Sequence, residues 1–144
     1  WFDRIYKMDG NENPYRLHQE LGRWMTENVT VVRENKRLQE TQGKLRELLE
    51  RWSHIGMSDR SSWSNQSVQF TSHLYNMLQL ARVITQGALL RNESRGSHYK
   101  PEFPERDDEN WLKTTLVDWR EGEPQFSYEP VDASLIPPRA RKYD

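Results

Sequence analysis

The densest chemistry in the sequence lies between residues 91 and 111, RNESRGSHYKPEFPERDDENW, where eleven of twenty-one residues are charged or histidine. Glu93, Arg95, His98, Arg106, Asp107, Asp108 and Glu109 gather around two prolines and a glycine, without the even spacing of a solvated helix face. Side chains of these types can support nucleophilic catalysis, metal binding or the docking of one domain on another. Each demands its own spacing.

A small hydrolase would use Ser94 with His98, but no GxSxG elbow and no preceding strand accompany them. His18, His54, His73 and His98 are scattered without HxxxH or HExxH spacing, and Asp107-Asp108-Glu109 lacks the alternate positions of a calcium loop. That acidic trio better suits the positive end of a short helical turn before Trp111. With no GxGxxG, the sequence offers no phosphate-cradling loop. On these spacings a metal site, or a flavin or nucleotide site built by this chain alone, is not expected. The plain alternative is a polar clasp, in which Arg95 and Arg106 pair bidentately with carboxylates such as Glu93 or Asp107. Gly96 would supply a left-handed turn at the end of the preceding helix, and the prolines would fix the chain beyond it. Such a clasp could close the domain on itself or lock it to a neighbour.

The elements that must position this stretch follow from periodicity. Asn13-Pro14 opens a first helix, because asparagine caps well and proline at the first helical position lacks only an N–H that has no partner there. Leu17, Leu21, Trp24, Met25 and Asn28 draw its stripe, and the β-branched run Val29–Val32 predicts its end. A second helix, from about Asn35 to Ile55, spaces Leu38, Leu45 and Trp52 by heptads, with Leu48 and Ile55 on the second seam. Its mixed-charge face reads as solvated surface. A third helix, about residues 65 to 93, presents Phe70, Leu74, Met77, Leu78, Ala81, Ile84 and Ala88 on one face, with further apolar residues widening it. Apolar on two sides, it predicts packing on two sides.

Beyond residue 93 the period changes. WLKTTLVDW and QFSYEP predict two strands around a Gly-containing turn, and SLIPPR predicts an extended strap. The expected fold is all-α: an up-down-up three-helix bundle, spectrin-repeat-like, over residues 1–93. A clasp, a small β-hairpin and an extended tail packed on the bundle follow over 94–144. At 144 residues, 34% apolar and a formal net charge of −1, the chain gives no basic footprint for nucleic acid and no membrane span. Zero cysteines exclude disulfides and fit a reducing compartment. The aromatic, apolar opening WFDRIYKM predicts a piece of a longer protein. A free-standing helical interaction module is the alternative.

ESRGSHYKPEFPERDDENWLKTTL closely resembles the C-terminal signature of succinate dehydrogenase and fumarate reductase flavoprotein subunits. The signature runs Glu-Ser-Arg-Gly-(Ala/Ser)-His, then aromatic-Pro-x-Arg-(Asp/Asn)-Asp, then an aromatic residue. It falls on Glu93, Ser94, Arg95, Gly96, His98, Phe103, Pro104, Arg106, Asp107, Asp108 and Trp111. NENPYRLHQELGRWMTENVTVVRENKRL and WSNQSVQFTSHLYNMLQLARVITQGALLRNESRG resemble the family's helices, and SLIPPRARKYD resembles the ending of its bacterial three-subunit members. The resemblance implies a parent that oxidises succinate to fumarate on a covalently held FAD. Its electrons would leave through an iron–sulfur subunit and a membrane cytochrome b anchor to quinone, at the cytoplasmic face of the bacterial membrane. None of the family's catalytic residues maps onto this chain. What the resemblance implies here is a scaffold bracing the FAD and capping domains, with Glu93, Arg95, Gly96, His98, Arg106, Asp107, Asp108 and Trp111 as a docking clasp and no insertion into the membrane.

Overall fold

The computed structural model describes residues 1–139, which divide into two compact units, one from Trp1 to Arg106 and one from Asp107 onward. The first holds α1 (Phe2–Tyr6), α2 (Pro14–Asn28), α3 (Asn35–Trp52) and α4 (Gln66–Leu90). The second holds α5 (Asp108–Trp111), β1 (Lys113–Arg120) and β2 (Glu123–Pro130). The chain is thus helical with one small antiparallel sheet, as expected, but the described residues contain five helices rather than three.

Local signals explain the long helices. The Asn13 side chain accepts from the Tyr15 and Arg16 N–H groups at 2.9 and 3.3 Å, with Pro14 at the first helical position. α2 ends at Asn28, where the β-branched run begins. Asn65 caps α4 by accepting from the Val68 N–H at 3.1 Å. Leu38, Leu45, Leu48, Trp52 and Ile55 are all buried, so the heptad reading of α3 holds although the helix stops at Trp52. The Trp52 indole N–H donates to the Thr71 carbonyl at 2.8 Å, while Leu38 and Ala88 share a buried cluster, so α3 and α4 run antiparallel. Tyr15 stacks on Phe70 and Thr85 reaches the Met25 sulfur, so α2 runs alongside α4 in the same direction.

α1 was not foreseen as a helix. Trp1, just before it, stacks on Trp52 with ring centroids 5.5 Å apart, and its indole N–H donates to Ser72 Oγ at 2.8 Å. The following loop crosses the α3–α4 connection so closely that a Cβ on Gly10 would overlap the His54 carbonyl. Glycine is required there because backbone occupies the space a side chain would need.

Two sequence expectations need correction. The stripe assigned to the third helix splits, for Leu74, Leu78, Ala81 and Ala88 are buried whereas Met77 and Ile84 are exposed, as is Leu80. Thr71 and Thr85 take the vacated core positions. The charged face of α3 is not plain solvated surface either. Arg51 binds both oxygens of Glu12 (2.7 and 3.1 Å) and of Glu20 (2.9 and 3.2 Å), beside the expected helical contact to Glu47 at 3.3 Å. Lys44 joins at 2.7 Å from Glu47 and 3.2 Å from Glu20.

In the second unit, β1 and β2 pair from Lys113↔Pro130 to Arg120↔Glu123. Glu121 and Gly122 both take positive φ (53° and 83°), the signature of a two-residue I′ turn that matches strand twist. None of the described residues of this unit is buried. Leu135 and Ile136 of the expected strap stand in solvent, and the remainder of the tail, residues 140–144, lies outside the described residues.

Candidate functional site

The segment 91–105 collects the ends of three helices. Four carbonyls at a helix C-terminus have no partner within the helix. At the end of α4 that need is met by Lys100, which is fully buried. Its ammonium lies 3.3 Å from the Ala88 carbonyl, 2.7 Å from that of Leu89, 3.3 Å from that of Arg91, and 2.9 Å from Asn92 Oδ1. Burial pushes the Lys100 pKa below the ordinary lysine range. Four surrounding oxygens and the negative end of the helix dipole oppose that shift and favour the ammonium.

At the end of α2, Arg33 does the same work. Its Nε donates to the Val29 and Thr30 carbonyls at 3.1 and 2.9 Å, and its Nη1 lies 2.8 Å from His98 Nδ1. A guanidinium can only donate, so Nδ1 accepts and the His98 proton sits on Nε2, facing the Arg91 carbonyl at 3.1 Å. His98 is thus a neutral bridge between the ends of α2 and α4. Burial first, and then the positive charges of Arg33, Lys100 and Arg91, hold its pKa below 6.5, against the hydrogen bond to Arg91. At the start of α3, Glu102 accepts from the Asn35 N–H at 2.7 Å, where a carboxylate meets the positive end of the dipole. Main-chain bonds from Arg33 N–H to the Tyr99 carbonyl (2.8 Å) and from Tyr99 N–H to the Val31 carbonyl (3.0 Å) stitch the segment to the α2–α3 connection.

Glu93 is the acidic centre of this arrangement, with no solvent exposure. Arg95 binds it bidentately, Nε and Nη2 each at 2.9 Å, and Arg91 Nη1 adds a contact at 2.5 Å. The pairing expected for Arg95 is therefore present. Gly96 is left-handed (φ 59°), yet not as a helix cap: α4 has already ended, and Gly96 instead begins a tight turn closed by Arg95 N–H to His98 carbonyl (2.8 Å) and His98 N–H to Arg95 carbonyl (3.0 Å). Arg106 closes the helical unit. Asp107, Asp108 and Trp111 belong to the second unit. Asp107 caps α5 by accepting from the Asn110 N–H at 3.0 Å, as the helix-start reading of the acidic trio expects. Trp111 meets Tyr128 edge-on, and the Lys113 ammonium stands 4.5 and 4.3 Å from the two ring centroids.

Ser94 and His98 do not form a nucleophile–base pair. The serine hydroxyl donates to the Phe103 carbonyl at 2.8 Å and accepts from the Lys100 N–H at 2.9 Å, while both histidine nitrogens are engaged elsewhere. What the geometry can do chemically is hold helix ends in register. Sequence reasoning missed Lys100 and Arg33. For Arg33 the local hint was a basic residue soon after the end of α2, which can bind the last carbonyls.

The sequence pattern of the family described as "Fumarate reductase flavoprotein C-term" matches residues 18–143. A succinate dehydrogenase flavoprotein subunit of Bacillus subtilis is 58% identical over 99% of this chain and 25% of its own length. A fumarate reductase flavoprotein subunit of Helicobacter pylori is 40% identical over 86% of this chain and 18% of its own. A solved Escherichia coli quinol fumarate reductase superposes with a TM-score of 0.91 at 32% identity, over 96% of this chain and 24% of that one. The chain thus spans about a quarter of the length of the B. subtilis and E. coli proteins. It belongs to the C-terminal family of succinate dehydrogenase and fumarate reductase flavoprotein subunits.

Proposed function

We propose that this chain serves as the C-terminal scaffold of a succinate dehydrogenase flavoprotein subunit and performs no chemistry of its own. The up-down-up core of α2, α3 and α4 carries the load, and the clasp around Glu93, Arg95 and His98 fixes the surface that meets the rest of the polypeptide. In this reading the parent binds FAD, oxidises succinate to fumarate and passes electrons through an iron–sulfur subunit to quinone. It acts as a peripheral subunit on the cytoplasmic face of the membrane. No helix among the described residues is long and apolar enough to cross that membrane, which suits a peripheral role. The segment after residue 93 belongs to that helical support as far as Arg106, where the compact helical unit ends.

The observation that carries the proposal is the state of the clasp: the buried Glu93 is held by Arg91 and Arg95, and the buried Lys100 and His98 side chains are turned onto helix-end carbonyls. A catalytic group needs a face left open for its substrate. The test compares the 144-residue chain with the full-length polypeptide. The full-length protein should show flavin absorbance and succinate-dependent dye reduction, and the shorter chain should show neither. Flavin bound to the shorter chain, or turnover by it, would overturn the scaffold reading.

A further inference from the structure

His98 is the only histidine of the clasp, and both of its bonds depend on its being neutral. Nδ1 lies 2.8 Å from Arg33 Nη1 and must accept, because a guanidinium only donates. Nε2 donates to the Arg91 carbonyl at 3.1 Å. A proton on Nδ1 would set donor against donor and charge against like charge. Arg33 is not free to turn aside, because its Nε is committed to the Val29 and Thr30 carbonyls at 3.1 and 2.9 Å. The other charged neighbours give no relief. Lys100 and Arg91 add positive charge at the ring, and no carboxylate among the described residues pairs with it. Glu93 is engaged by Arg91 and Arg95, and Glu102 by the Asn35 N–H.

What this pair holds together is a thin seam. Beside it run two main-chain bonds, from the Arg33 N–H to the Tyr99 carbonyl (2.8 Å) and from the Tyr99 N–H to the Val31 carbonyl (3.0 Å), and the Glu102–Asn35 bond. Val31, Val32 and Tyr99 are 51%, 49% and 43% exposed, so little apolar burial resists its opening. Past His98, Lys100 is fully buried and binds the end of α4 without using the seam. We infer that His98 and Arg33 form an acid-released latch: a proton on Nδ1 parts the α2–α3 connection from residues 98–102 and leaves the end of α4 held. Burial first, and then the positive charges, keep the ring's pKa below 6.5 while the seam is closed, and opening returns it toward its ordinary value. Acid therefore favours the open form. The latch is whole above pH 6.5 and weakens as pH falls toward the closed-state value. It uses contacts within this chain alone, so it stands or falls separately from the scaffold role.

Hydrogen–deuterium exchange of the full-length protein at about pH 7.5 and about pH 5.5, corrected for the pH dependence of intrinsic exchange, tests this. Fragmentation mass spectrometry resolves the single amides. Those of Arg33 and Tyr99 report the seam, and that of Arg91, bonded to the Gly87 carbonyl at 3.2 Å, reports the end of α4. Protection at Arg33 and Tyr99 should fall several-fold on acidification, by at most about tenfold per pH unit for one proton, while Arg91 keeps its protection. His98→Gln, which keeps a neutral acceptor and donor, should remove the acid response. Arg33→Gln should remove it too, because a neutral amide can turn an oxygen toward the protonated ring. Unchanged protection in the unsubstituted protein overturns the latch. So does a fall shared equally by Arg91, which is general loosening, and so does an acid response that survives either substitution. The comparison of the seam with Arg91 in the unsubstituted protein decides the matter even where a variant fails to fold.

Discussion

The clasp around His98 and Lys100 and the ion cluster around Arg51 use the same residue types in opposite surroundings. In the clasp, Glu93 and Lys100 have no exposure, and the partners are backbone carbonyls at helix ends as well as other side chains. In the cluster, Arg51, Glu12 and Glu20 keep about a quarter of their side-chain surface in solvent, and their partners are other charged side chains. The clasp joins α2, α3 and α4 through the ends of all three. The cluster ties α2 and its leading loop to α3 along their sides. Solvent can replace what the cluster offers, but it does not reach Glu93 or Lys100 at the centre of the clasp. Identical chemistry therefore has different consequences, set by desolvation rather than by the number of ion pairs.

The sharpest way to break that contrast is to remove a buried partner. Glu93→Ala leaves Arg91 and Arg95 facing an emptied site, and thermal or urea unfolding of the chain should show a loss of about 3–5 kcal/mol. Lys100→Met keeps the volume but strips donors from the end of α4. With about 1–3 kcal/mol for each acceptor left unsatisfied, the loss should be of the same order. That is a large share of the roughly 5–15 kcal/mol by which domains are stable. A loss under about 1 kcal/mol for both variants would show that water enters the clasp and that the contrast is false.

Acid separates the two networks by sequence of failure. His98 has a folded pKa below 6.5, so below pH 6.5 the unfolded chain takes up a proton that the folded chain refuses. Its contribution is complete above pH 6.5 and is lost as pH falls toward the folded value. Glu12, Glu20 and Glu47 are held below 4.5, Glu12 and Glu20 chiefly by hydrogen bonds from Arg51 and Glu47 by one from Lys44. Their contribution is complete above pH 4.5 and is lost as pH falls through the lowered values. Melting temperature should therefore decline in two stages on acidification, and His98→Gln should abolish the upper stage alone. A single decline beginning near 4.5 would place His98 in contact with solvent.

The smallest effect should come from Arg51→Ala. Because the cluster is part-solvated, removing its centre should cost about 1 kcal/mol, and high salt should shrink the difference between variant and parent. A loss equal to that of Glu93→Ala would erase the distinction between the networks.

The helices were legible where local chemistry determines them: the Asn13 cap, the heptad leucines of α3 and the β-branched stop after Asn28. The Glu93–Arg95 pair was legible too, because its members lie two residues apart in a segment too irregular for a solvated helix. Contacts between distant residues left no such trace. Arg33 meets His98 across 65 positions, and nothing in the flanking VVREN or SHYKP marks them as partners. Lys100 reads as an ordinary surface lysine until the end of α4 arrives above it. The orientation of α4 was misread for a related reason. An apolar residue on nearly every side gives periodicity little to choose from, and threonines at 71 and 85 entered the core where Met77 and Ile84 were expected.

The central claim is that the clasp holds structure rather than performing chemistry, and Arg95 tests it most directly. It pairs bidentately with Glu93 and belongs to the Glu-Ser-Arg-Gly stretch. The measurement is succinate oxidation by the Arg95→Ala full-length protein, normalised to bound flavin and accompanied by a thermal melt. The account predicts a lower melting temperature and lower flavin retention, with near-normal turnover for each flavin that remains. A variant that melts normally and keeps its flavin, yet loses about a thousandfold in turnover, equivalent to about 4 kcal/mol of transition-state stabilisation, would put Arg95 in the chemistry and contradict the account.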